Sequence, residues 1–309
     1  MRRKETERKK RLRVGLALSG GAARGVAHVG VLKVLLEAGV PVDCVGGTSA
    51  GALVGGAFAA GLSLGELEEF GRSLRWRDFG RVTLSRLGIQ SNARMEEYIR
   101  ERFPVTRFED LPIPFACVAT DLRTGAAVVM RDEGDLAFAI RASCCVPGWY
   151  VPVTDKAGRQ LVDGGLVANV PAAATRSLKP DVVIAVDVNF EGAKFLGPPQ
   201  SVIGVLFQSI MVVQRTVSTH EGRNADVVIR PKVGHIRWDE MTRADELLAA
   251  GEQAAREQLP DIKALLTPAV EEHQTWIQRL LHRPASERQD AHRTRPPATT
   301  ESESRPSRR

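Results

Sequence analysis

The sequence predicts an α/β fold, a mostly parallel sheet with helices packed on it. Three observations carry the prediction. Short apolar runs recur at residues 14–19, 42–45 and 182–188. A segment with helical spacing, through Val26, Val29, Leu32, Leu35 and Leu36, separates the first two. Glycines stand where each strand would turn into a helix, at Gly20-Gly21 and Gly46-Gly47. A β-α-β-α opening of this kind favours parallel neighbours with covering helices.

Taken in order, residues 14–19 read as a buried strand ending at Gly20-Gly21, and residues 23–38 as a helix closed by Gly39. Residues 42–45 form a second strand that runs into Gly47-Thr48-Ser49-Ala50-Gly51. A helix of small residues follows over 50–60, closed by Gly61. Residues 62–110 are richer in charge, with amphipathic stretches at 64–74 and 95–103 and with Trp76, Phe79 and Leu87 between them. They are expected to form a helical insertion over one sheet edge, a cap above a site. Residues 115–120 and 126–131 read as strands joined at Thr124-Gly125, 137–143 as a short helix, and 160–162 as a strand entering Asp163-Gly164-Gly165. Strands at 182–188 and 226–230 and helices at 239–259 and near 270–281 complete the series. From Arg283 the chain is polar and is expected to be disordered. The expected organisation is a basic disordered tail over 1–13, a catalytic domain over 14–266, and a C-terminal helix and disordered tail over 267–309.

Charge is unevenly distributed. The 309 residues carry a net +6, yet residues 1–13 hold eight Lys/Arg against two acids and residues 283–309 hold seven Arg against four, which leaves the body at −3. The folded body is therefore not expected to bind nucleic acid. A basic tail can touch an anionic membrane, at about 1 kcal/mol per charge. Cys44, Cys117, Cys144 and Cys145 form no C-x-x-C pair and read as reduced small hydrophobes of a cytoplasmic protein, with peripheral contact at the inner membrane surface as an option. No secretory signal is expected, because the apolar run after the basic start is too short. The run at 202–213 is interrupted by Gly204, Gln208 and Ser209 and falls short of a membrane span. It reads as a buried or partly buried helix, with an interfacial position at a bilayer as the alternative.

The chemistry centres on Ser49. A G-x-S-x-G between a strand and a helix places the serine on a tight turn with its hydroxyl pushed out, as a nucleophile needs. The turn Ser19-Gly20-Gly21-Ala22-Ala23-Arg24-Gly25 also leaves a strand and opens a helix, so its N–H groups converge on one spot. That spot suits a phosphate or the oxyanion of an acyl transfer. The dinucleotide reading lacks an acid at the end of the second strand, and the P-loop reading lacks Lys-Ser/Thr. Ala50 N–H would add a donor from the residue after the nucleophile. For the base, His28 reads as packed. His220 or His235 with Asp187 would make a triad, and Asp163, at a strand end before two glycines, would make a dyad.

The order SGGAARG (19–25), GTSAG (47–51) and DGG (163–165) resembles the patatin-like phospholipase family, in its bacterial branch. So do ATDLRTG at 119–125, RASCCVPGWYVPV at 141–153, LVDGGLVANVP at 161–171 and DVVIAVDV at 181–188, over roughly residues 14–260. The resemblance implies a three-layer α/β/α fold and a serine lipid acyl hydrolase with a Ser-Asp dyad, no histidine, no metal and no cofactor. Ser49 then matches the nucleophile and Asp163 the base. Gly20, Gly21 and Ala22 match the oxyanion loop, joined by Ala50, with Arg24, Gly47, Gly51, Gly164 and Gly165 in support. Ala22 stands where the family has a third glycine, so its N–H can still donate while its methyl group is expected to narrow the site or to demand a slightly different backbone angle. The implied substrates are phospholipids, lysophospholipids or related lipid esters, and the oligomeric state is left open. Pro147, Trp149 and Tyr150 are candidates for contact with an acyl chain. Two other readings compete: an α/β-hydrolase esterase with the triad, disfavoured by how early Ser49 falls, and a regulatory lipid-binding protein with weak turnover.

Overall fold

The computed structural model describes residues 11–192 and 198–267. Residues 1–10 of the expected tail, the helix near 270–281 and the terminal segment lie outside them. The described chain runs β1 (Val14–Leu18), α1 (Ala27–Glu37), β2 (Cys44–Thr48), α2 (Ala50–Ala59), α3 (Leu64–Ser73), β3 (Arg81–Val82), β4 (Gly88–Ser91), α4 (Arg94–Arg102), β5 (Phe115–Asp121) and β6 (Ala127–Arg131). It continues through α5 (Leu136–Ser143), β7 (Gly148–Tyr150), β8 (Val153–Thr154), β9 (Gln160–Asp163), α6 (Ala172–Arg176), β10 (Val182–Val186), α7 (Val202–Glu221), β11 (Val227–Ile229) and α8 (Ala244–Leu266). Arg11 to Arg13 are already anchored: the Arg11 guanidinium meets Asp43 at 2.6 Å and the Arg13 N–H donates to Asp181 at 2.7 Å.

The main sheet has eight strands in the order β11-β10-β1-β2-β5-β9-β8, with β6 on β5. The five strands from β11 to β5 pair in parallel, while β6, β8 and β9 pair antiparallel. Side chains alternate across the sheet. Val14, Leu16, Leu18, Val182, Ile184 and Val186 enter the large core beside α1, α2 and α8, whereas Ala17, Val183 and Ala185 enter a smaller one with Val170 and Ala172. Bulky residues therefore face the thick helical layer and small ones the thin layer of α6. The α/β fold is thus three-layered, with a mostly parallel central sheet.

β5 sets the site. Residues 116–118 pair with β6 and β2 together, and residues 119 and 120 with β6 and β9 together. A strand has two edges, so β2 and β9 lie end to end along the one that β6 leaves free. Thr48 sits against Val118 and Asp163 against the next residue, Ala119. The two strands run toward each other and their C-terminal ends meet.

Three local expectations change. The segment 62–110 is not all helical: β3 and β4 form a hairpin, and β4 pairs in parallel with β7 in a second, three-stranded sheet. The first helix opens as a 3-10 turn over Ala22–Val26, where Ala23 N–H donates to Trp238 O at 2.9 Å instead of entering a helical ladder. The last helix starts at Ala244, after a 3-10 turn, and passes through Pro260, beyond which the fully buried Ile262 packs its final turn into the core.

Candidate active site

Ser49 caps α2 in a conformation that few residues adopt, φ 53 and ψ −121. Such a backbone costs roughly 1–3 kcal/mol and persists only where its surroundings enforce it. Glycines on both sides do so. A Cβ on Gly47 would lie 2.6 Å from Ala52 Cα, and one on Gly51 would collide with the carbonyl oxygen of Leu18. The Ser49 N–H is held by Ser143 Oγ at 2.8 Å, and that hydroxyl donates in turn to Val118 O. The side chain is left to point into the site.

There it meets Asp163. Ser49 Oγ donates to Asp163 Oδ2 at 2.7 Å, and Oδ1 accepts the Gly165 N–H at 2.8 Å. Both carboxylate oxygens are engaged, so the plane of the group is fixed. A Cβ on Gly164 would strike the Val118 carbonyl, which keeps this turn tight against β5. Asp163 is fully enclosed, and loss of hydration pushes its pKa up to about 6, against the pull of the Ser49 hydroxyl and the Gly165 N–H.

The neighbouring glycine turn supplies N–H donors, though not the whole set expected. Gly20 N–H is engaged by Asn169 O at 3.1 Å, so Gly20 shapes the loop and does not donate into the site. Among the described residues, the N–H groups of Gly21, Ala22 and Ala50 have no protein acceptor, and Ala22 and Ala50 line cavities at Ser49. Ala22 takes φ 51, a left-handed conformation that its methyl group disfavours, at a cost of about 1–2 kcal/mol.

Residues 16–176, 161 positions carrying both Ser49 and Asp163, match the model of the family described as patatin-like phospholipase. The chain belongs to the patatin-like phospholipase family. It is 41% identical over 182 residues to a patatin-like phospholipase domain-containing protein of Caenorhabditis elegans, covering 57% of this chain and 13% of that one. Over 180 residues it is 39% identical to an uncharacterized NTE family protein of Mycobacterium tuberculosis, covering 57% of this chain and 49% of the relative. The aligned stretch thus spans about half of the mycobacterial relative and a small part of the animal one. VipD from Legionella pneumophila shares the fold, with a TM-score of 0.51 at 13% identity, over 82% of this chain and 67% of VipD.

In this patatin-like chain two cavities meet at Ser49. One is walled by Leu53, Val54, Leu74, Phe79, Met95 and Tyr150, among others. Leu74, Trp76, Phe79 and Met95 come from the insertion, which therefore covers the site. Tyr150 lines this cavity, whereas Trp149 packs on Trp238 and Pro147 is not among the walls. The second cavity reaches Asp163 and mixes polar Asn189 and Gln214 with Phe207, Ile210 and Met211 of α7.

Arg24 does not face either cavity. Its guanidinium is buried and donates to Ile236 O, Asn189 Oδ1 and Gly192 O, pinning the glycine turn to the loops after β10 and β11. The histidines among the described residues lie elsewhere. His28 Nε2 donates to Ser19 O at 2.8 Å, and burial pushes its pKa down to about 4, so it is neutral and structural. His235 bonds Glu246 at 2.7 Å, His220 is exposed on α7, and the Asp187 carboxylate accepts the Asn189 N–H. Ser143 and Asn169 were missed from sequence. Asn169 holds Gly20 through its carbonyl and Ser218 of α7 through its side chain at 2.8 Å. No spacing rule marks either residue, since each acts on a turn far away in the chain.

Proposed function

We propose that this protein hydrolyses fatty-acyl esters of phospholipids or lysophospholipids through an acyl-Ser49 intermediate, with Asp163 as the base. The observation that carries the reading is the 2.7 Å contact between Ser49 Oγ and Asp163 Oδ2 at the junction of the two cavities. As Ser49 Oγ attacks the ester carbonyl, Asp163 Oδ2 takes the hydroxyl proton. The N–H groups of Gly21, Ala22 and Ala50 receive the developing oxyanion, a contribution worth about 3 kcal/mol per donor at comparable sites. Asp163 then passes the proton to the departing alcohol. Water attacks the acyl-enzyme by the same route in reverse and frees the fatty acid.

An aspartate with its ordinary pKa of about 4 is a weak base for an alcohol; burial of Asp163 narrows that gap while leaving the group ionised at neutral pH. The apolar cavity suits the acyl chain and the Asn189–Gln214 side suits the leaving group. Ser49→Ala is expected to abolish release of fatty acid from phospholipid and labelling by a fluorophosphonate probe. Undiminished labelling of that variant would remove Ser49 as the nucleophile.

A further inference from the structure

Exposed aliphatic side chains are normally scattered. Here they are gathered. Of the eleven large hydrophobics that stand exposed among the described residues, eight lie on two elements: Val82, Leu84 and Leu87 on the β3–β4 hairpin, and Val202, Val205, Leu206, Val212 and Val213 on α7. Spacing by three, four and seven residues puts the α7 set on one helical face, opposite Phe207, Ile210, Met211 and Gln214, which line the cavity at Asp163. The hairpin springs from Phe79 and returns at Met95, both walls of the apolar cavity, while its tip turns outward with Leu84 fully exposed. α7 thus has one apolar face on a cavity and a second in solvent, and the hairpin is rooted at cavity walls with its apolar tip in solvent.

Charge on the hairpin is one-sided: residues 79–95 contain Arg81, Arg86 and Arg94 and no acid. α7 carries Arg215 along its length and one acid, Glu221, at its last residue. Among the described residues Arg81, Arg86 and Arg215 have no ion-pair partner; arginines elsewhere divide between those held by carboxylates, such as Arg72, Arg141 and Arg243, and those that are not, such as Arg77 and Arg123. Exposed aliphatics flanked by free cations match an interface of acyl chains below anionic headgroups.

We propose that the β3–β4 hairpin and the outer face of α7 form a two-part docking surface for an anionic lipid bilayer, through which substrate enters the cavity at Ser49. The proposal rests on the lipid-ester reading of that cavity. The cap and α7 are then the parts of the fold that enter the interface.

The test uses the full chain, with vesicles of phosphatidylcholine made with and without phosphatidylglycerol. Leu84→Asp and Val212→Asp are each expected to lower partitioning onto the mixed vesicles by about tenfold or more. Arg86→Gln is expected to lower it about fivefold on mixed vesicles and to change nothing on phosphatidylcholine alone. Turnover of soluble p-nitrophenyl butyrate should stay within about twofold in all three variants, which also reports that they fold. Binding should persist in Ser49→Ala, so failure of the hydrolase reading and failure of docking are told apart. Unchanged partitioning of both aspartate variants overturns the proposal. So does a lipid-free dimer that these substitutions dissociate without altering vesicle binding, which would make the same faces a contact between copies of the chain.

Discussion

The turns around Ser49 and the segments that cover them are built on opposite terms. At the turns, backbone meets backbone: Gly51 lies on Leu18, Gly164 on Val118, and the Ser49 N–H, the Ser143 hydroxyl and the Asp163 carboxylate are each held by a named partner. In the cover, side chains meet side chains: Phe70, Phe79, Tyr98 and Phe103 contact one another edge-on or tilted, and Gly65 of α3 has nothing within 4 Å of its Cβ position. The difference separates two tasks. Backbone packing fixes a distance that chemistry needs to within a fraction of an ångström, whereas an aromatic and aliphatic wall sets only a volume and can be repacked.

The sharpest break of this contrast is one substitution made twice. Gly51→Ala drives a methyl group into the Leu18 carbonyl and is expected to cost on the order of 4 kcal/mol, or to prevent folding, with activity lost. Gly65→Ala in the cover should instead stabilise by about 0.5–1 kcal/mol, the ordinary helical gain. Thermal denaturation of the pair reads both, and equal effects would dissolve the distinction.

Next in size is Asp163→Asn, expected to lower the hydrolytic rate by about 10²–10⁴ with the fold retained. In the wild type, activity should fall about tenfold per pH unit below a midpoint near 6, as Asp163 protonates. Stability offers an independent check. The folded carboxyl titrates near 6 and the unfolded one near 3.8, so the contribution of Asp163 is present below pH 3.8 and is lost as pH rises through 6. The variant should therefore gain on the wild type by roughly 2–3 kcal/mol between pH 4 and pH 7. A difference that does not vary with pH would place the Asp163 pKa at its ordinary value.

A smaller effect is expected from the cover. Met95→Ala enlarges the apolar cavity and should shift preference toward bulkier or longer acyl esters by a few fold, with short-ester turnover little changed. Loss of all activity in that variant would mean that the cover fixes geometry as strictly as the turns do.

Much of the site was legible because its constraints are local. Gly47 and Gly51 flank Ser49 in the sequence for the same reason that they pack in the fold, and Gly165 donates to the Asp163 carboxylate two residues away. The order of motifs carried the rest of the family assignment. What was not legible depends on pairing at long range. Engagement of Gly20 by Asn169 joins residues 149 positions apart, and nothing in SGGAARG reveals it. The hairpin over 81–91 was hidden because Val82, Leu84 and Leu87 are exposed, so their spacing does not mark a buried face. The helix at 202–213 was expected, but its length to Glu221 and its solvent-facing aliphatic stripe were not, because apolar residues on two faces look like burial.

β5 has one more consequence. Ser49 and Asp163 are 114 residues apart, yet both are indexed on neighbouring residues of one strand. Twisting or sliding β5 carries the two groups together, so their spacing is insulated from deformation of the sheet. The excursion from Leu62 to Asp110 departs after α2, returns before β5, and contributes no strand to the main sheet. It can lengthen, shorten or be exchanged while the reference strand stays in place. A scaffold of this kind can change what it admits without realigning what it does.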